Sequence, residues 1–471
     1  MTGGMSSDEF RRYGKELIDW VADYYEKVES LPVTPTVQPG AIRALLPANA
    51  PEGPEPFAEI IEDLDRVVMP GITHWQSPNW FAYFPGDSSF PAILGELVSA
   101  GLAQQGMLWS TSPATTEIES HMMDWLVDLL GLPATWKTTG PGGGVIQMSA
   151  SDSTHTALVV ARQLAQQSAS LDNIVAYASS EAHSSIEKGA RVAGYRHFRA
   201  IGVDENFAMR PDLLVEAIAA DRQAGLLPAF VCSAVGTTGT TAVDPVRTIG
   251  EIAQREGMWH HVDAAYAGSA MICPEFRPHQ DGLELADSYV FNPHKWMFVN
   301  FDASAFYVAD RRPLIETLSI LPPYLQDAAS QSGAVIDYRD WHVPLGRRFR
   351  ALKLWFTLRS FGAEGIRTKI RQHAVAARTL TAQLEGDARF ELVAPTLFAL
   401  VSFRHVGGDP STDRLAARIN DSGRAYLTAS KLPDGSSFIR VSIGQTNTTQ
   451  HHVNELWTLI DEMADPGGTR T

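Results

Sequence analysis

Cysteine is nearly absent from this chain: 471 residues carry two, Cys232 and Cys273, too few for a disulfide framework. Both sit in apolar runs, where a buried reduced thiol is the default state, and this suits a reducing compartment. Long apolar runs are missing as well, and no stretch approaches the ~18–20 residues that a membrane span needs. The N-terminal MTGGMSSDEFRRYG lacks the apolar core of a secretion signal, so the expected location is the cytoplasm. Positive charge is in deficit. With 38 Lys and Arg against 54 Asp and Glu, the formal charge of −16 argues against nucleic acid or an anionic membrane as partner, while a small zwitterionic substrate is compatible with it. The glycine run Gly140-Pro141-Gly142-Gly143-Gly144 is not followed by Gly-Lys-Ser/Thr, so it makes no nucleotide P-loop. No metal site is expected either: the doublets His260-His261 and His451-His452 lack accompanying ligand spacing, and neighbours on a strand point to opposite faces.

What is present is an ordinary globular composition, 44% hydrophobic and 20% charged, with room for two or three domains. The stretch ADSYVFNPHKW, residues 286–296, reads as a short buried strand over 287–291 that delivers one lysine, Lys295. A lysine amine becomes a nucleophile for carbonyls when its ammonium form is disfavoured, and Val290, Phe291, Trp296 and Phe298 supply apolar surroundings. Upstream, WHHVDAAYAGSA repeats the layout, an apolar strand end that carries a carboxylate, Asp263, before small residues. An acid and a lysine at strand ends of one parallel sheet both face the crevice where open α/β sheets bind ligands. Together they point to pyridoxal phosphate, with Lys295 holding the cofactor and Asp263 facing its ring nitrogen.

Ser6 and Glu9 form a capping-box pattern, and Phe10, Tyr13, Leu17, Val21, Tyr24 and Val28 recur at helical spacing, predicting a first helix of about 20 residues. Its aromatic stripe calls for a partner surface, which suggests a swapped-arm dimer. Seven prolines between Pro32 and Pro56 then impose an extended wrapping segment. Helices are expected over 57–69, 91–107 and 116–130. Between the first two lies the aromatic cluster Trp75, Trp80, Phe81, Tyr83 and Phe84, followed by Pro85 and Gly86, which reads equally as packing or as a wall for an aromatic substrate. After the glycine run, Ser149, Ala150, Ser151, Asp152 and Ser153 open a periodic helix, a natural seat for a phosphate group. From Asn173 to Phe306, strand-like and helix-like segments alternate, implying a mostly parallel α/β sheet with helices on both faces. His183, Thr237, Thr238 and Asp263 fall at strand ends, and His183 is a candidate to stack on the cofactor. The segment with Pro322-Pro323-Tyr324 has a loop composition, and a tyrosine on a closing loop can deliver a proton. Helices over 343–361 and 364–384 and a smaller α+β domain complete the chain.

These segments, GGGVIQ with SAS, YASSEAHSSIEKGAR, GTTGTTAVDP, HVDAAYAGSA, FNPHKW, PPYL and PLGRRFRALKLWF, occur in the order and at about the spacing of the pyridoxal-phosphate group II decarboxylases. The chain most resembles the aromatic-L-amino-acid decarboxylase branch, which includes DOPA, tryptophan and tyrosine decarboxylases, from Phe10 to about Thr458. The resemblance implies a type I aspartate-aminotransferase-like fold. Its parts would be an N-terminal wrapping and dimerisation segment over 1–89, a large cofactor domain with a seven-stranded mostly parallel sheet over 90–365, and a small C-terminal domain over 366–471. It also implies a homodimer with active sites at the interface. Carried over by position, Lys295 is the lysine that bonds the cofactor, Asp263 the partner of its pyridine nitrogen and His183 the stacking ring, with Ala265 on the opposite face. Ser149, Ala150, Ser151, Asn292 and His294 fall where the family holds the phosphate, Thr238 lies near the ring, and Tyr324 is the catalytic-loop tyrosine. Trp75, Tyr83, Phe84, Pro85, Gly86, Gln105, Met107, His183 and Gly346 fall in the substrate pocket.

The chain departs from the pattern at Met148, where relatives often have glycine, and at Gly86, where animal enzymes have threonine. Gln105 and Met107 replace bulkier apolar or aromatic residues. Gly346 lies where some plant relatives use glycine for indole substrates, but animal relatives that prefer DOPA have glycine there too. The implied reaction is decarboxylation of an aromatic L-amino acid to the arylalkylamine. Three competitors share or mimic the fold. An aromatic aldehyde synthase goes with loss of the loop tyrosine or the stacking histidine, and both Tyr324 and His183 are kept here. An aminotransferase would need an arginine for a second carboxylate, and a non-catalytic binding protein would have no use for the set Lys295, Asp263, His183 and Tyr324.

Overall fold

The computed structural model describes residues 4–320 and 335–464. Tyr324, with Pro322 and Pro323, lies outside the described residues.

The predicted first helix forms over Ser7–Lys27, and Ser6 and Glu9 cap it reciprocally as the sequence pattern requires. None of its residues is buried. It leans on its own chain along one side only: Tyr13 packs on Phe57 with ring centroids 4.8 Å apart, and the Tyr24 hydroxyl meets His74 Nδ1 at 3.1 Å. After it the proline-rich segment carries one short helix, Ala41–Leu45.

Seven strands form the large sheet: β1 (Gly143–Gln147), β2 (Ile174–Ser179), β3 (His197–Ile201), β4 (Leu227–Ala234), β5 (Trp259–Asp263), β6 (Ser288–Phe291) and β7 (Ser304–Val308). Their order is β1-β7-β6-β5-β4-β2-β3. Pairs β5/β6, β4/β5, β2/β4 and β2/β3 are parallel, while β7 runs against both β1 and β6. Two antiparallel pairings through β7 leave β1 pointing the same way as β6. Six strands therefore end at one edge, and the direction of the connections reverses between β2 and β4, the arrangement that opens a crevice at the carboxyl ends of the strands. Apart from the edge strand β3, the strands are buried on both faces because helices such as Ala150–Ala165, Pro211–Gln223 and Val246–Glu256 cover them. A smaller antiparallel sheet follows, built from β8 (Phe390–Leu392), β9 (Leu400–His405), β10 (Thr428–Lys431) and β11 (Ser437–Ser442) in the order β10-β11-β9-β8.

Several helix boundaries differ from expectation. The helix expected over 57–69 is α-helical only through Phe57–Asp63 and then loosens into a π turn at Leu64–Val68. Helices form at Phe90–Leu102 and Pro113–Leu130, each with proline in the first turn, where its missing N–H costs nothing. The helix predicted from residue 343 begins only at Ala351, because Pro344 and Gly346 favour the irregular entry. It then runs on to Glu385, broken at Gly362, whose φ of +65° takes the left-handed region that glycine tolerates. The glycine run proves to be packing. A Cβ on Gly143 would stand 2.6 Å from Trp341, and one on Gly144 would stand 2.5 Å from Met123 and 2.6 Å from Tyr307.

Candidate active site

The strand ends bring the predicted groups together. Lys295 sits in the single helical turn Pro293–Trp296 after β6, half-buried, with its Nζ 5.2 Å from the ring centre of Phe84. Burial lowers its pKa from the ordinary lysine value; the Asp263 carboxylate acts to raise it and the Arg440 guanidinium to lower it further. Asp263 ends β5, and its Oδ1 accepts the Ala265 N–H at 2.9 Å. The Ala265 carbonyl in turn accepts the Asn292 N–H at 2.9 Å, so Asp263, Ala265 and the lysine turn form one continuous strip.

His183 follows β2 at the open mouth of the crevice. Its Nδ1 accepts the Ser185 backbone N–H at 3.2 Å and lies 2.7 Å from the Ser185 hydroxyl, which assigns the neutral ring's proton to Nε2. Crowding lowers its pKa, with Asp263 raising it and Lys295 lowering it. Each of the three groups thus lies within electrostatic reach of the others.

The helix N-terminus expected to seat a phosphate is also formed. Ser149 is the N-cap of the helix Ala150–Ala165, its Oγ accepting the Asp152 N–H at 3.2 Å, so the amides of Ala150 and Ser151 lie in the first turn, where helix geometry gives them no intrahelical partner. On the other side, His294 Nδ1 accepts the Ala303 N–H at 3.0 Å, and burial holds the ring neutral with a pKa of about 3, placing its proton on Nε2. Asn292 Oδ1 is buried without a hydrogen-bond partner, a polar atom that folding alone does not explain.

The aromatic wall divides in two. Phe84, buried, stacks on Tyr266 at 4.0 Å, Tyr266 stacks on Trp296 at 4.8 Å, and Trp296 donates its indole N–H to His373 at 3.0 Å. This column backs the lysine. Trp75 and Tyr83 are exposed, stacking on each other at 5.8 Å and packing beside the buried Trp80. Pro85 is buried, and Gly86 lies against Trp75, where a Cβ would come within 3.4 Å of the indole. Thr238 is half-buried after β4, beside the buried Thr237.

Gln105, Met107 and Gly346 form a second group. Gln105 Oε1 accepts the Arg347 N–H at 2.6 Å, and the Met107 carbonyl accepts the Arg339 N–H at 3.0 Å. Among the described residues no hydrogen bond or ring contact joins this group to the lysine cluster. The histidine doublet His260-His261 turns out to be internal: His260 Nε2 bonds Ser233 at 2.8 Å, and His261 bonds Ser288 and Thr154.

Sequence reading missed Arg440. Only 3% exposed, it rises from β11 into the crevice, donates to the Tyr83 carbonyl at 3.2 Å and lies 5.2 Å from the Phe84 ring centre. Burial brings its pKa down to about 10. In SFIRVS a basic residue between apolar neighbours was the available signal, and it is weak because strands commonly carry one exposed charge.

The conserved domain of pyridoxal-dependent decarboxylases matches residues 39–406. The chain belongs to the pyridoxal-dependent decarboxylases. It is 44% identical to phenylacetaldehyde synthase of Arabidopsis thaliana, covering 98% of this chain and 96% of that protein. It is 45% identical to aromatic-L-amino-acid decarboxylase of Bos taurus, covering 98% and 97%. The solved structure of Oryza sativa TDC with PLP and tryptamine superposes with a TM-score of 0.96 at 39% identity, covering 98% of this chain and 99% of that one. The decarboxylase is thus a carboxy-lyase that uses pyridoxal phosphate. The residues present fit that group: a half-buried lysine, a carboxylate within its field, a helix N-terminus and an orphaned buried amide oxygen surround one crevice. Among the described residues no helix is long and apolar enough to cross a membrane.

Proposed function

We propose that this decarboxylase removes the carboxylate of an aromatic L-amino acid, of the tryptophan, DOPA, tyrosine or phenylalanine type, as carbon dioxide and releases the arylalkylamine. The observation that carries the reading is Lys295, desolvated beneath the Phe84 ring and held in the field of Asp263 on the adjacent strand. The names of the relatives, which include aromatic-L-amino-acid, tryptophan and tyrosine decarboxylases, supply the substrate class.

Pyridoxal phosphate, when bound, supplies an electron sink for the pair left on the α-carbon as carbon dioxide departs. Lys295, its ammonium form disfavoured by burial, is the residue that holds the cofactor covalently. Asp263, pinned by the Ala265 N–H, presents its carboxylate to the pyridine nitrogen and keeps a proton there. Ala150 and Ser151 amides, the Ser149 hydroxyl, Asn292 and the Nε2–H of His294 hold the phosphate; Thr238 and Ala265 flank the ring. His183, its Nδ1 fixed by Ser185, would lie against the ring of the bound cofactor. Trp75, Tyr83, Phe84, Pro85 and Gly86 receive the side chain of the substrate. Tyr324 delivers the proton that the α-carbon takes up.

The enzyme acts as a cytoplasmic homodimer. What supports this is the apolar surface left open: the first helix exposes Phe10 and Ile18, and the helix Phe90–Leu102 exposes Phe90, Leu94, Leu97 and Leu102. The separate cluster of Gln105, Met107 and Gly346, with Gln105 and Gly346 at the surface, suits a wall supplied to the partner's crevice.

The 44% identity to a phenylacetaldehyde synthase favours a second reading, oxidative decarboxylation and deamination to the aldehyde. Carbon dioxide, amine, aldehyde and peroxide measured side by side from tryptophan, tyrosine, phenylalanine and DOPA separate the two. Amine with stoichiometric carbon dioxide is expected from the wild type, and Tyr324→Phe is expected to shift the product toward aldehyde and peroxide. Unchanged amine yield in that variant removes Tyr324 from the proton-donor role.

A further inference from the structure

The turn that carries Lys295 cannot hold itself. Pro293–Trp296 is a single helical turn, and one turn is far below the length at which a helix is stable alone. It is followed at once by Phe298, whose φ of +60° lies in the left-handed region that a bulky residue avoids. External contacts must fix both ends: the Asn292 N–H on Ala265 and the His294 ring on Ala303 hold its start, and one residue reaches both sides of the lysine. The Asp87 N–H donates to the His294 carbonyl at 3.1 Å, immediately before Lys295, and Asp87 Oδ2 accepts the Phe298 N–H at 3.3 Å, three residues after it. Two residues on, the Ser89 hydroxyl donates to the Phe298 carbonyl at 2.7 Å.

We propose that Asp87 is a positioning residue for Lys295, bracing the lysine turn from both ends. The inference rests on Lys295 being the cofactor-binding lysine. The same short segment carries Phe84, whose ring faces the lysine Nζ, so 84–89 sets both the amine and the wall above it. Asp87 is 1% exposed, and its Oδ1 is buried beside Thr446 without a hydrogen bond of good geometry. A side chain chosen only for packing would be apolar, since a buried carboxyl with an unmet oxygen destabilises the fold. Burial raises its pKa well above the usual carboxylate range, while Lys369 acts in the opposite direction; Lys369 Nζ donates to the Thr446 carbonyl at 3.0 Å and lies 5.7 Å from the Phe298 ring centre. Tyr25 and Tyr266 are the other titratable groups that feel this carboxyl. The brace needs an acceptor at Oδ2 and an amide at residue 87, and it needs no charge.

The test titrates full-length protein, freed of cofactor, with pyridoxal phosphate, reduces it with borohydride and reads the fraction of the Lys295 peptide that carries the label by mass spectrometry. Melting temperature is measured alongside. Asp87→Ala is expected to raise the concentration for half-labelling roughly tenfold, the loss of one buried hydrogen-bonded contact. Asp87→Asn, whose amide oxygen still accepts from Phe298, is expected to label like the wild type. Ile218→Ala, in the core on the helix Pro211–Gln223, is the control for lost stability without a lost brace. If Asp87→Ala does not fold, Asp87→Ser, too short to reach Phe298, takes its place. Labelling of the Ala or Ser variant no weaker than that of Ile218→Ala, or Asp87→Asn as weak as Asp87→Ala, overturns the proposal. A wild type that takes no label at Lys295 overturns the reading of the lysine instead.

Discussion

Two charges of opposite sign act on the Lys295 amine from two different sheets, Asp263 on β5 and Arg440 on β11. Their removal should move the lysine in opposite directions. Arg440→Met deletes the repelling cation, so the Lys295 pKa rises and the amine becomes reactive only at higher pH; Asp263→Asn deletes the attracting anion and lowers it. The pH dependence of Lys295 modification in cofactor-free protein, followed at the peptide level, should shift alkaline in the first variant and acid in the second. Arg440 makes no ion pair with a carboxylate among the described residues, so Arg440→Met should hold stability or raise it by about 1 kcal/mol. Lys295 and Asp263 were legible because each ends an apolar strand with small or aromatic residues around it. Arg440 was not, because its meaning depends on a long-range contact with Phe84, 356 positions away by the two residue numbers.

At the scale of elements, β1 and the helix after it separate two roles that look alike in the sequence. The glycines of β1 face Trp341, Met123 and Tyr307 with no room for a methyl group, whereas Ser149 caps the helix and its neighbours present open amides. Gly144→Ala should therefore cost about 1–3 kcal/mol of stability, by overpacking, and leave the affinity for pyridoxal phosphate nearly unchanged in whatever protein remains folded. Ser149→Ala should cost only about 1 kcal/mol as a lost cap yet weaken the cofactor measurably. Urea titration together with cofactor-binding curves distinguishes the two patterns. Element type was readable throughout 173–306, where apolar period and turn residues agree. The break between helices expected over 343–361 and 364–384 falls at Gly362 as read, whereas the start failed at Pro344 and Gly346, because periodicity carries across an interruption that backbone geometry does not.

Among the described residues, burial drives five histidines strongly toward the neutral ring. Burial lowers the pKa of His260 to about 4 and those of His261, His294, His342 and His373 to about 3. In the unfolded chain each titrates near ~6.5, so below that pH unfolding takes up protons and stability falls as pH falls. Each histidine contributes a slope of about 1.4 kcal/mol per pH unit once its unfolded form is fully protonated. Buried carboxyls act the other way: Asp244 and Asp287, raised to about 6, and Asp87, raised well above the usual carboxylate range, bind protons in the folded state before their unfolded counterparts do. His74, His183 and His279 join the first set and Asp152, Glu181 and Asp340 the second, so the histidines outnumber the carboxyls and a net loss remains. The melting temperature should fall between pH 7 and pH 5, less steeply than the histidines alone would give, and His373→Gln should flatten the curve.

The sequence by itself determined the α/β class, the strand-end lysine and acid, the capped helix after the glycine run, and the family, because these are written in local pattern and short motifs. The tertiary structure decided which side chains share the crevice, that Arg440 enters it from the small sheet, that the glycines of β1 serve packing, and that the cluster of Gln105, Met107 and Gly346 stands apart from the lysine. Those outcomes depend on contacts between segments hundreds of residues apart, and neither spacing nor composition encodes the relative placement of two sheets.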